Sequence, residues 1–148
     1  MKDEGRIGVY ICSGCEIGSC IDVEKSCKVA SDEFKTTSAG VHSALCSVEG
    51  YDYILRNIGE HKLDAVVIAA CSPRVKTEVF DFSDKILLER VNLREQVAWC
   101  FEPMAEDTRM AADDALRMGI VKVKNTAIPV PFIANDISDE ILIAGGGI

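Results

Sequence analysis

From Leu63 to Cys71 the chain reads Leu-Asp-Ala-Val-Val-Ile-Ala-Ala-Cys, apolar at all positions but one. Such a run, stopped by Ser72-Pro73, reads as a strand buried on both faces, and strands of that kind belong inside parallel sheets. Neighbouring segments repeat the theme. Arg6-Ile-Gly-Val-Tyr-Ile-Cys12 and Ile86 to Val91 read as further strands, and 34–46 as a short strand followed by an irregular stretch. Ser13 to Ser19 reads as a glycine-bearing loop.

Helical spacing fills the intervals. Asp22 caps a helix that puts Val23, Cys27 and Ala30 on one face. Tyr51, Ile54, Leu55 and Ile58 form an i, i+3, i+4, i+7 stripe that Gly59 or the Glu60-His61-Lys62 cluster ends. A short helix is expected around Thr77 to Phe82. Asn92 and Glu95 make a capping-box-like start to another, through Val97, Ala98 and Trp99. A longer one runs from about Ala105 to Lys124. Its buried face is Ala111, Ala112, Ala115, Leu116, Gly119, Ile120 and Val123, small enough at several points for close packing. Strands alternating with helices give an α/β fold, three-layer, around a small and mostly parallel sheet.

The carboxyl end follows a different pattern. Ile128-Pro129-Val130-Pro131-Phe132 is stiffened by proline and reads as linker. Beyond it, Ile141-Leu-Ile-Ala-Gly145-Gly-Gly147-Ile148 resembles the strand and turn that open a dinucleotide-binding fold, with Gly145 and Gly147 as the first two fingerprint glycines. The third would fall at position 150, past the last residue given. The expected organisation is thus 1–126 as a cysteine-rich α/β domain, 127–140 as linker, and 141–148 as the first strand of a Rossmann domain that is missing here.

A formal charge of −8 excludes a nucleic-acid or anionic-membrane binder, since both need a basic face. The longest apolar run, Ala65 to Cys71, is far short of the ~20 residues of a spanning helix. The amino end is charged, with no room for a secretory h-region. A cytoplasmic protein without direct membrane insertion is the expectation. Its seven cysteines are then reduced thiols, suited to metal, cluster or redox work.

Cys12 and Cys15 sit where the first strand ends, Cys71 where the buried strand ends, and Cys46 in a loop before a helix. If the two strands are parallel neighbours, Cys12, Cys15 and Cys71 emerge at one sheet edge, and Cys46 needs only a loop excursion to join them. Four converging thiols suit an iron–sulfur cluster or zinc. A dithiol pair at Cys12–Cys15 and purely structural thiols are the alternatives. Arg74 and Lys76, just after Cys71, are candidates to offset the charge of a thiolate-ligated cluster, or else solvated surface groups. Cys27 and Cys100 read as packing residues, Cys20 as a loop thiol or substitute ligand, and His42 and His61 as surface residues.

Ala69-Ala-Cys71-Ser-Pro-Arg74 with Asn92-Leu-Arg94-Glu-Gln96 resembles the amino-terminal region of the A-type subunit of heterodisulfide reductase, a flavoprotein. It resembles still more the related flavoprotein subunits of the quinone-interacting membrane-bound oxidoreductase of sulfate reducers. Gly8-Val-Tyr-Ile-Cys12, Cys46-Ser-x-x-Gly50 and Ile143-Ala-Gly-Gly-Gly147 extend the likeness along nearly the whole chain. The resemblance implies a [4Fe–4S] cluster on Cys12, Cys15, Cys46 and Cys71. It also implies FAD in the full-length protein, and other subunits of a redox complex as partners, through which any membrane association would come. Two positions depart from the family pattern. Cys12-Ser-Gly-Cys15-Glu stands where the family often has C-x-C-G, and Val97 where it often has a cysteine, so Cys100 is the substitute candidate. The expected function is electron transfer between flavin and partner subunits, with no complete catalytic site in this stretch. The alternative is a metal-free or zinc-bound docking module.

Overall fold

A computed structural model describes residues 5–133 and 139–146. Among them are four strands, β1 (Ile7–Cys12), β2 (Ser38–His42), β3 (Ala65–Ala70) and β4 (Leu87–Asn92), all parallel in the order β2-β1-β3-β4. The two inner strands, β1 and β3, are buried at every position. Their register runs from Ile7 opposite Ala65 to Ile11 opposite Ala69. The outer strands are half-buried along most of their length.

Successive strand residues face opposite sides of the sheet, so each face has its own cover. α2 (Val23–Lys28), continued by a π-helical turn Val29–Glu33, packs with α4 (Glu106–Asn125) on the face bearing Val9, Val67 and Val91. α3 (Val48–His61) covers the other face, where the Tyr53 ring meets Tyr10 edge-on at 5.5 Å. Beside it lies the loop 71–86, whose Phe82 stacks on Tyr51 of α3 at 5.4 Å. The result is three layers.

The sequence signals act through identifiable contacts. The Asp22 carboxylate accepts the Lys25 N–H at the start of α2, and Ser47 accepts the Gly50 N–H at the start of α3. α3 ends at Lys62, in the left-handed conformation at φ 50°. Ala112, Leu116, Gly119, Ile120 and Val123 form the buried face of α4, with Ala111 and Ala115 half-buried beside them. Asp113 and Thr108 are buried on that helix as well. Asp113 accepts a 2.7 Å hydrogen bond from Ser26, a polar tie between α4 and α2 that the apolar pattern does not reveal.

Several expectations change. Residues Ile17–Cys20 within and after the expected loop form a short helix, α1. No helix forms around Thr77 to Phe82, where irregular backbone instead inserts Phe80 into the core. The segment after β4 is a π-helical turn, Arg94–Ala98. Half of the expected capping box exists, since Asn92 accepts the Glu95 N–H at 3.1 Å, but the Glu95 carboxylate goes elsewhere. Cys100 is exposed rather than packed, next to an exposed Trp99. His42 is half-buried, stacked on Tyr53 at 5.8 Å.

Residues 139–146 form neither helix nor strand, and Ile141, Leu142 and Ile143 are largely exposed. The strand expected at 141–144 has no neighbour to pair with among the described residues, and a lone strand is not stable in water. Gly145 takes φ +105°, a glycine conformation, while Gly147 lies outside the described residues.

Gly119 provides the closest test of the packing. A Cβ there would stand 2.3 Å from Val91 Cγ2, on a stiff β-branched side chain. Gly119→Ala should therefore destabilise the domain by about 1–3 kcal/mol in urea titration, the cost of overpacking, even though alanine is the better helix former.

Candidate functional site

Parallel strands send all their carboxyl ends to one rim, and in open α/β sheets ligand-handling loops gather there. Here the rim carries Cys12 as the last residue of β1, Cys15 three residues on, Cys46 four residues past β2 and Cys71 one residue past β3. The expected set thus shares one edge of the sheet. Cys12 is buried, Cys46 and Cys71 half-buried, and Cys15 exposed.

The loops holding these thiols are fastened to each other. After β1, the Ser13 N–H donates to the His42 carbonyl at the end of β2. The Cys12 thiol faces the next carbonyl, of Ser43, at 3.9 Å. Gly14 passes so close to this loop that a Cβ would sit 2.2 Å from Ser43 O. Cys15 and Glu16 then take consecutive left-handed conformations, φ 50° and 70°. Two such non-glycine residues in a row are strained, and strain of this kind persists only where surrounding structure enforces it. Gly50 explains the Cys46-Ser-x-x-Gly50 spacing, because a Cβ there would stand 2.1 Å from the Ala44 carbonyl oxygen.

On the other side of β1, Cys71 is held by β4 and the turn after it. Glu95 Oε2 accepts the Ser72 N–H at 2.8 Å, and its Oε1 accepts two hydrogen bonds from Arg94, at 3.1 and 2.6 Å. Burial works against a charged Glu95, but the hydrogen bonds from Arg94 and the Ser72 N–H outweigh it and lower its pKa. Arg94 also lies beside the thiols of Cys71 and Cys15, with its guanidinium over the exposed Trp99 ring at 5.1 Å. Burial pushes the Cys71 thiol pKa up, while Arg90 and Arg94 pull it down. Cys100 has a separate role, its thiol donating to the Glu95 carbonyl at 3.2 Å from an exposed position. Cys27 packs half-buried against the core, where burial and Glu24 raise its pKa. Cys20 is buried too.

The cations that face the cysteines are therefore Arg90 and Arg94, not the expected Arg74 and Lys76, which are both exposed. One signal in the sequence could have found Arg90: alternation along β4 puts it on the same strand face as the apolar Leu88.

Soft thiols and nearby positive charge fit an iron–sulfur cluster in kind. The side chains are not gathered tightly, however. Among the described residues no three His, Cys, Asp or Glu side chains form a group close enough to hold one metal ion. No helix among the described residues is long and apolar enough to cross a membrane.

Fold and rim together define a cysteine-bearing, all-parallel α/β domain. Its relatives are subunits of oxidoreductases. The chain is 36% identical over 97% of its length to the A-type subunit of the ferredoxin:CoB-CoM heterodisulfide reductase of Methanosarcina mazei. It is 33% identical over 99% to the A-type subunit of the H(2):CoB-CoM heterodisulfide,ferredoxin reductase of Methanothermobacter thermautotrophicus. It is 30% identical over 99% to an A-type iron–sulfur subunit of the CoB–CoM heterodisulfide reductase of Methanopyrus kandleri. No protein-family model matches. The chain belongs to the family of heterodisulfide reductase A-type subunits, and it spans about a fifth of the length of these relatives, 19 to 23%.

Glu95→Ala removes the acceptor of the Ser72 N–H and should cost about 1–3 kcal/mol. Because the folded-state pKa of Glu95 is depressed, the wild type's advantage is fully present above the unfolded carboxylate pKa of about 4.3. It is lost as pH falls through the lower folded value. Urea unfolding of both proteins between pH 7 and pH 3 measures this; a gap that does not shrink toward pH 3 contradicts the pairing.

Proposed function

We propose that this chain is an electron-transfer domain carrying a [4Fe–4S] cluster on Cys12, Cys15, Cys46 and Cys71, in a flavin-containing, heterodisulfide-reductase-like complex. The observation that carries the reading is the shared rim: four thiols at the carboxyl edge of one parallel sheet, with Arg90 and Arg94 beside them. The name of the Methanopyrus relative, an iron–sulfur subunit, supports it. A cluster held there would take up and release single electrons. The protein's own part is to supply sulfur ligands from three separate loops, keep the Cys12 side of the site out of water, and offset negative charge with the two guanidiniums.

On this reading residues 1–126 are the cluster domain, 127–140 a linker, and 141–148 the opening of an FAD-binding domain with Gly145 and Gly147 at its turn. Other subunits of a redox complex are the partners, in a cytoplasmic protein whose attachment to any membrane runs through them. Cys100, exposed just past the turn that follows β4, is the reserve ligand.

A second reading, a metal-free or zinc-bound docking module for partner subunits, has one observation in favour of its metal-free form, the absence of a tight ligand group among the described residues.

Anaerobic reconstitution with ferrous iron and sulfide separates the two. The cluster reading expects about four irons per chain, a paramagnetic signal after reduction, and a sharp loss of both in Cys12→Ser and Cys71→Ser. It further expects quenching of the fluorescence of Trp99, the single tryptophan, whose ring lies against Arg94. Fewer than about two irons per chain in repeated preparations would reject the cluster and leave the docking module.

A further inference from the structure

Arg90 occupies an unusual position for a charged residue. It lies on β4, opposite Ile68 of β3 and in the same cross-sheet row as Tyr10 and Gly40, on the face covered by α3 and the loop 71–86. Its guanidinium sits over the buried Phe80 ring at 4.4 Å. Nη2 donates to the carbonyls of Ser72 at 3.2 Å, Val75 at 3.3 Å and Cys71 at 3.4 Å, and lies 3.8 Å from Cys71 Sγ. Nε is buried and has no acceptor among the described residues. Burial lowers the guanidinium's pKa, and the thiols of Cys71 and Cys46 push it back up.

A fold does not keep a half-buried cation with an orphan donor for packing alone, because leucine or methionine would fill the same volume without the desolvation cost. The alternative use is electrostatic. Arg90 faces two cysteines from separate loops, and its Nη2 closes the turn that begins at Cys71. Its charge is held close to Cys71 Sγ in a poorly hydrated place, where a charge acts more strongly than at the surface.

We propose that Arg90 is a positioning residue for the cluster site, fixing the 71–75 turn that carries Cys71 and raising the reduction potential of the group that the rim cysteines hold. This inference rests on the cluster reading above. On reduction one electron enters from the reductant, no bond of the protein forms or breaks, and the site gains one negative charge. A fixed cation nearby favours that reduced state. Arg94 contributes less, because its two shortest bonds neutralise it against Glu95.

The test uses wild type, Arg90→Gln and Arg90→Lys, each with and without iron. In the iron-free proteins, amide exchange at Arg74 and Val75, whose N–H groups bond back to Ser72, should accelerate about tenfold in Arg90→Gln relative to wild type. Exchange in the β1 and β3 core should not change, which separates a local release from general unfolding. In the reconstituted proteins, a dithionite titration followed by visible absorbance reads the potential. Arg90→Gln should raise the oxidised-to-reduced ratio at the wild-type midpoint about tenfold, a fall of about 59 mV for a one-electron couple. Arg90→Lys keeps the charge but loses the Nη2 that reaches Cys71, Ser72 and Val75, so it should restore most of the potential while leaving the turn amides fast.

A wild type that takes up no iron sinks the cluster reading, and this inference with it. A loaded Arg90→Gln protein with unchanged potential overturns the inference alone. So does unchanged exchange at Arg74 and Val75.

Discussion

Everything at the rim depends on the parallel pairing of β1 with β3. Six residues in each strand are shut away on both faces, so the pair can neither slip by one residue nor reverse without moving core side chains into water. That register fixes the separation of Cys12 and Cys71 along the sheet. Ile11 stands opposite Ala69, and the two cysteines follow within one and two residues of that row. Helices on one face and α3 with the 71–86 loop on the other then close both sides. The cost of ordering the two strands is offset mainly by apolar contact.

With the strands fixed, the loops have little freedom to place their thiols elsewhere. Gly14 and Gly50 mark where backbone passes backbone too closely for a side chain, and each lies beside a segment carrying a cysteine. Hydrogen bonds stitch the first cysteine loop to the loop after β2, while Glu95 and Arg90 stitch the Cys71 turn to β4. The site is thus built in two halves. One is neutral and backbone-tied on the β1–β2 side; the other is held by charged side chains on the β3–β4 side.

Much of this was legible in the residues. The Leu63 to Cys71 run and the Gly8 to Cys12 run announce buried parallel strands, and the stripe Tyr51, Ile54, Ile58 announces α3. Asp22 marks the start of α2. Legibility failed where local pattern and tertiary use part company. Thr77 to Phe82 has helical spacing but places Phe80 in the core and the ring of Phe82 on Tyr51, which an irregular chain does better. Cys100 reads as a packing residue yet stands exposed, because the chain after β4 makes only a single wide turn. Cys15 and Glu16 carry no residue-type signal for left-handed backbone, since glycine would be the expected choice there.

What the sequence determined by itself is the buried strands and the helices between them, which follow from hydrophobic periodicity, a property of short segments. The shared cysteine edge followed only on condition that β1 and β3 pair in parallel, and the tertiary structure supplies that pairing. Only the tertiary structure decided which charges face those cysteines. Arg74 and Lys76 are nearest to Cys71 along the chain, but Arg90 and Arg94 reach it in space. Strand pairing sets distance across the sheet independently of distance in sequence, and electrostatic influence depends on the former.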